Sequence, residues 1–250
     1  MTLVSGIADA TQPIIISQDP SSQASMPIIR SVNESEGMEF TWSIWMFLKP
    51  VTTSSTDTNF SHVFSKGAFN AGSLGTCSAF SNNAPGLYLS NANTLTVVMD
   101  STTTPGCKTD TNTPITIDNM PINKWFNVII RCKNTTLDVY INGTIARSIN
   151  LVGVPKQNYG DVYVAMNGGF DGNISNLWYY NYALGTSEIQ SLAKSGPNTK
   201  MANSGSMNLK NPDYLSLRWF FYGAGDMFNP SAPSGPPDSS DSSNSSGLNQ

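Results

Sequence analysis

Residues 137–149, LDVYINGTIARSI, constrain the fold more than any other stretch of this chain. Leu137, Val139 and Ile141 alternate with Asp138, Tyr140 and Asn142, the period of two that gives a strand one buried and one polar face. Asn142-Gly143 follows at once, and both residue types accept positive φ at little cost, as a tight hairpin demands. Upstream, KWFNVIIRC reads as a further strand joined through KNTT. Three antiparallel strands therefore occupy the middle of the sequence.

The remaining chain repeats the theme. In EFTWSIWMFLKP, Phe40, Trp42, Ile44, Met46 and Leu48 share one face, while Trp45 and Phe47 make the other face apolar as well. HVFSKGAF, GLYLSNANTLTVVMD, DVYVAMN and GNISNLWYYNYAL supply further short strands between polar turns. One helix is predicted, over TSEIQSLAKSG, with Thr186 or Ser187 as its cap, Ile189, Leu192 and Ala193 as its apolar stripe and Gly196 as its stop. Only 12% of the 250 residues are charged, which suits a β-rich chain with many polar turns. The net charge of -4 and the lack of any basic run argue against a grip on nucleic acid or on an anionic membrane surface. No apolar run approaches the roughly 20 residues of a membrane span, and the first residues carry no signal-peptide pattern. Residues 1–37 read as an N-terminal arm able to add edge strands, 38–196 as one sandwich domain, and 197–250 as a C-terminal extension with a Ser/Pro-rich tail.

Three blocks in order carry a family resemblance. FTWSIWMFL is similar to an opening core strand; KWFNVIIRCKNTTLDVYINGTIARS to a central Trp, strand, turn and Tyr-x-Asn-Gly block; FDGNISNLWYYNYALGTSEIQSL to a closing Gly-x-Ile strand and short helix. Residues 38–195 resemble the concanavalin A-like jelly roll in its laminin G-like branch. The resemblance implies an all-β fold of two packed antiparallel sheets with one short helix and extended terminal arms, which the strand spacing independently supports. The Leu184–Leu192 segment is expected to cover an open end of the sandwich.

Candidate chemistry is sparse. ESEGME places Glu34, Glu36 and Glu39 at the spacing of the superfamily's glycosidase carboxylates, yet ahead of the first core strand and interrupted by Gly37; it reads as a solvated acidic turn, and no catalytic residue is assigned. The laminin G-like branch often holds calcium on rim loops. Asp171 and Asn167, with Asn173, are weak ligand candidates here, because Ser175 and Asn176 stand where the family carries an acidic pair. The alternative for Asp171-Gly172 is a plain turn. His62, the only histidine, has no nucleophile partner and reads as structural or surface. Cys77 and Cys107 flank the 87–99 hairpin, whose closure brings them near enough to pair or leaves them as thiols; Cys132 reads as a buried thiol. Six N-x-S/T sequons accompany the high Asn, Ser and Thr content and say little.

The partner surface expected from sequence consists of Trp178, Tyr180, Tyr182, Asp171 and Asn173. Its aromatics serve either as a sugar platform or as core plus interface. Laminin G-like modules also occur among structural proteins of large DNA viruses. The favoured expectation is thus a non-catalytic module docked to capsid proteins in a virion. A lectin-like or adhesion module for a glycan, calcium-assisted and exported by a route not visible in the sequence, is the alternative. A β-glycanase ranks last, and no cofactor is required.

Overall fold

Thirteen strands and one helix appear in the computed structural model, which describes residues 1–22, 25–29, 31, 33–34, 37–50, 60–67, 82–90, 93–102 and 114–200. All of these lie in the unit Met1–Met207. The strands are β1 (Thr2–Asp9), β2 (Ile14–Ile16), β3 (Asn33–Glu34), β4 (Gly37–Leu48), β5 (Ser61–Lys66), β6 (Gly86–Ser90), β7 (Thr94–Val98), β8 (Ile115–Ile117), β9 (Trp125–Lys133), β10 (Thr136–Ile141), β11 (Thr144–Asn150), β12 (Val162–Val164) and β13 (Gly172–Tyr180); α1 spans Thr186–Ser195. One sheet runs β1-β13-β4-β9-β10-β11, and the other β2-β12-β5-β6-β7-β8, with β3 paired to β4. Every strand pairing is antiparallel. The fold is the two-sheet jelly-roll sandwich, and the first sixteen residues supply an edge strand to each sheet.

Alternation decides the packing. Phe40, Trp42, Ile44, Met46 and Leu48 of β4 join Phe64, Leu87, Leu95 and Val97 of the facing sheet in one core. Burying each such side chain contributes about 1.5–3 kcal/mol. Asn142 and Gly143 take φ of 51° and 79°, closing the predicted β10–β11 hairpin. Among the described residues, six of the seven non-glycine positions with positive φ are asparagine, so part of the asparagine content is turn chemistry.

Four local expectations need correction. DVYVAMN is a strand only to Val164, because Ala165 and Asn167 turn to φ 52° and 54° and the chain enters a short 3-10 turn. β8 lies in a stretch that sequence alone left without a strand. Gly185, extended at φ -73° and ψ 164°, precedes the first turn of α1 in place of a Thr186 or Ser187 cap, and its N–H donates to Glu188 Oε2 at 2.8 Å. The fourth concerns Glu39. Its side chain is buried, takes the Ala183 N–H at 3.3 Å and faces Lys133 Nζ at 3.8 Å, so it holds a loop and is not solvated. Glu36 lies outside the described residues, as does the side chain of Glu34.

His62 is structural. Its Nδ1 accepts the Met166 N–H at 3.1 Å, which leaves Nε2 to donate to Ser65 Oγ at 3.0 Å. Burial lowers its pKa from 6.5 to about 3. Between those values the unfolded chain binds a proton that the folded chain refuses, so stability falls as pH drops. We expect a loss of up to about 1.4 kcal/mol per pH unit over that window, and His62→Asn, which keeps an acceptor for Met166, flattens the slope in urea melts run from pH 7 to 4. Cys132 sits in the core, with its thiol pushed up to about 12 by burial and by Asp138 and Glu39, and is inert at neutral pH. Cys77 and Cys107 lie outside the described residues.

Candidate functional site

The site begins with an irregularity in β13. Ser175 pairs with Trp45 and Trp178 with Ser43, so two residues, Asn176 and Leu177, stand opposite Ile44 alone. Asn176 absorbs the extra residue at φ 51°. Such a bulge flips the side-chain alternation beyond it. Ile174 faces the core before the bulge; Leu177 and Tyr179 face it afterwards. Trp178 and Tyr180 are thereby turned to the outer face of the sheet. Ser175 and Asn176 thus have structural duties: Ser175 Oγ donates to Asn198 O and accepts from Asn198 N, both at 3.0 Å.

The outer face is then covered by the chain that follows. Ile129 and Tyr140 point outward from β9 and β10 and pack against Leu184 and Ile189, with Tyr180 and Leu192 alongside. This overturns the expectation that Leu184–Leu192 plugs an open end: an outward Ile129 with no exposure requires an apolar cover on the sheet itself. Polar bonds fix the crossing. Thr41 Oγ1 donates to Tyr182 O at 3.0 Å and accepts from Leu184 N at 3.0 Å. Arg131 Nη1 reaches Leu184 O at 3.1 Å while its Nε and Nη2 bind Asp138 at 3.1 and 2.6 Å. Gln190 Nε2 donates to Gly143 O at 2.7 Å, tying α1 to the β10–β11 turn.

Between α1 and β13 lies a groove of about 330 Å³. Trp178 and Tyr180 form one wall, and Leu184, Glu188 and Leu192 form much of the other. Trp178 and Tyr180 meet edge to face at 6.4 Å and 66°, and Tyr180 meets Tyr182 at 6.1 Å and 80°. The Tyr182 hydroxyl donates to Glu188 Oε1 at 3.2 Å. Burial, then Tyr182 and Glu188, push the Tyr180 phenol up to about 12, so it remains a neutral donor. The indole Nε1 of Trp178 is buried without a hydrogen-bond partner among the described residues.

The structure therefore gathers Trp178, Tyr180 and Tyr182 but leaves Asp171 and Asn173 at the other end of β13, about 20 Å away at the rise of a strand. Asp171 is exposed and paired with Lys49 at 3.5 Å; Asn173 is half-buried in the ladder between Asp9 and Phe47. Asn167 is exposed in the 3-10 turn. Among the described residues no three acidic, His or Cys side chains gather in a metal-holding group. Glu188 and the docking of α1 on the sheet were not among the residues and contacts expected from the sequence. The adjacent apolar pair Ile129-Ile130 carried the signal, since it requires cover on both faces of β9.

With this geometry in place, a laminin G family model described as the concanavalin A-like lectin/glucanases superfamily matches residues 21–190. The chain belongs to that superfamily. Two solved structures of similar fold are the botulinum neurotoxin serotype G binding domain, at TM-score 0.51 and 13% identity over 76% of this chain and 46% of that one, and the receptor binding domain of botulinum neurotoxin D, at 0.50 and 13% over 78% and 43%. The chain spans less than half the length of either domain. At such identity the shared property is the fold alone. No curated protein matches the sequence. No described helix is long and apolar enough to cross a membrane, which says nothing of a β-barrel.

Proposed function

We propose that this chain is a non-catalytic binding module that docks a protein partner in the groove between α1 and β13. The observation that carries the reading is the perpendicular stacking of Trp178, Tyr180 and Tyr182 beside an apolar slot. Sugar recognition rewards a broad exposed ring face, whereas successive rings turned by 66° and 80° offer edges and a pocket. A pocket walled by Trp, Tyr and Leu, with Glu188 and hydroxyls at its lip, suits an apolar anchor side chain from a protein. The binding descriptions of the two neurotoxin domains are in keeping with a recognition role. The proposed setting is a large assembly, and the resemblance to laminin G-like structural proteins of large DNA viruses suggests a minor capsid component.

The test is incorporation of a Trp178→Ala/Tyr182→Ala chain into purified particles, alongside a glycan array with and without chelator. The content of the variant is expected to fall about tenfold or more, as for paired aromatic anchors, with an unchanged unfolding midpoint and a silent array. A glycan signal that the same substitutions abolish moves the site to carbohydrate recognition. Absence of the parent chain from particles removes the virion setting.

A further inference from the structure

The bulge that turns Trp178 and Tyr180 outward turns Tyr179 inward, and there it lines a second and larger space. A cavity of about 490 Å³ opens at the end of the sandwich where β4 begins and β13 ends. Its inner surface includes Phe40, Trp42 and Tyr179, with Met38 and Met99 beside them, and Lys156 and Tyr159 lie at the polar side. Sandwich interiors are normally close-packed. This volume instead falls within the range of about 300–1,000 Å³ that small-molecule sites occupy.

Polar bonds link the residues of the wall to one another. Gln18 Oε1 takes the Ile28 N–H at 2.8 Å, its Nε2 donates to Met26 O at 3.0 Å, and its backbone N–H donates to Asp161 Oδ1 at 2.8 Å. Across from it, Lys66 Nζ donates to Asn158 O at 3.0 Å and Gly160 O at 2.9 Å, while Asn158 Nδ2 returns a bond to Lys66 O at 3.1 Å. Gly160 leaves no slack, for a Cβ there meets Gly67 O at 2.3 Å. Gln18, Met26 and Ile28 are thus tied to one another and to Asp161, and Asn158 and Gly160 to Lys66, the preorganised condition under which a ligand loses least on binding.

The chemistry of the lining selects the ligand. Phe40, Trp42 and Tyr179 are aromatic, Trp42 and Tyr179 meeting at 4.9 Å, and Met38 and Met99 add polarizable sulfur, which favours flat rings. Tyr179 is buried, and burial raises its phenol to about 12, so the hydroxyl stays protonated at the cavity wall. Most charged groups around the cavity are anchored by hydrogen bonds to neutral partners. Asp161 holds Gln18, Asp19 holds Ser21 N and Oγ at 2.9 and 2.7 Å, and Lys66 holds its carbonyls. Lys156 is exposed at the mouth, where its positive charge also acts on the buried Asp100 behind Met99. From these features we propose that the end cavity binds a small aromatic anion, its rings against Phe40, Trp42 and Tyr179 and its acidic group at Lys156. The site is separate from the outer groove, on the opposite face of the same sheet.

Two dyes of the same ring system test this: 8-anilinonaphthalene-1-sulfonate, and N-phenyl-1-naphthylamine, which lacks the sulfonate. Titration into the full chain is expected to give one saturable site for each, with quenching of tryptophan emission. Lys156→Gln weakens the sulfonate by about fivefold and leaves the neutral dye unchanged. Met99→Trp fills the cavity and abolishes both; Ile28→Trp repeats the block from the loop side should the core variant fold poorly. Trp178→Ala, in the other groove, changes neither. Dye binding that survives both fillings, or that disappears with Trp178→Ala, overturns the proposal. Equal effects of Lys156→Gln on the two dyes overturn its anionic part.

Discussion

Trp42→Ala is expected to lower folding stability by about 3–5 kcal/mol, the range for truncating a fully buried large aromatic. Trp42 is 1% exposed at the middle of the core face of β4. It meets Phe64 of the opposite sheet at 5.2 Å and Tyr179 of the neighbouring strand at 4.9 Å, so one ring joins both layers. The hole left by alanine adjoins an existing cavity, which limits any compensating collapse. Domains of this size hold about 5–15 kcal/mol in total, so the loss is a large fraction. Urea denaturation followed by circular dichroism checks it, and the midpoint falls with little change in slope. Trp42→Phe retains much of the contact and is expected to lose less than half as much. A loss under about 1 kcal/mol for alanine refutes this account of the core.

Arg131→Ala is expected to cost a similar amount, about 3–5 kcal/mol, for a different reason. Asp138 is nearly buried and is held by Arg131 Nε and Nη2 at 3.1 and 2.6 Å and by Ser148 Oγ at 2.5 Å. Removing the guanidinium leaves a buried carboxylate without its counter-charge, the costly way to break such a pair. Arg131 also lies over the Tyr140 ring at 5.4 Å and binds Leu184 O, so the α1 crossing loosens with it. Replacing both partners by apolar residues, Arg131→Met with Asp138→Leu, restores much of the loss, since the orphaned charge is gone. Hydrogen exchange separates the two consequences. Amides of α1 exchange faster in both variants because the Leu184 tie is absent, whereas global stability recovers only in the double variant.

Much of the sandwich was legible because its signals are local. The core face of β4 follows from five alternating apolar residues, and the β10–β11 hairpin from Asn142-Gly143, whose positive φ belongs to those residue types wherever they sit. The family blocks point to the same architecture. The position of α1 was less legible. Its stripe of Ile189 and Leu192 announces a helix with one buried face but does not name the surface that receives it, and only the apolar outward positions Ile129 and Tyr140 do so. Glu39 shows the same limit: an acidic residue in a polar stretch looks solvated until the Ala183 N–H arrives from 144 residues away to claim it.

The aromatic run of β13 marks the boundary between the two sources of information. Its composition, Leu177 to Tyr180, determined that a strand here buries one set of rings and presents another. Which set goes where was decided by the tertiary structure. Alternation counted from Ile174 sends Trp178 and Tyr180 into the core and Tyr179 outward; the bulge at Asn176, set by the register against β4, reverses every residue beyond it. A period of two carries no record of its own phase, and a single extra residue paired across a sheet is enough to change it.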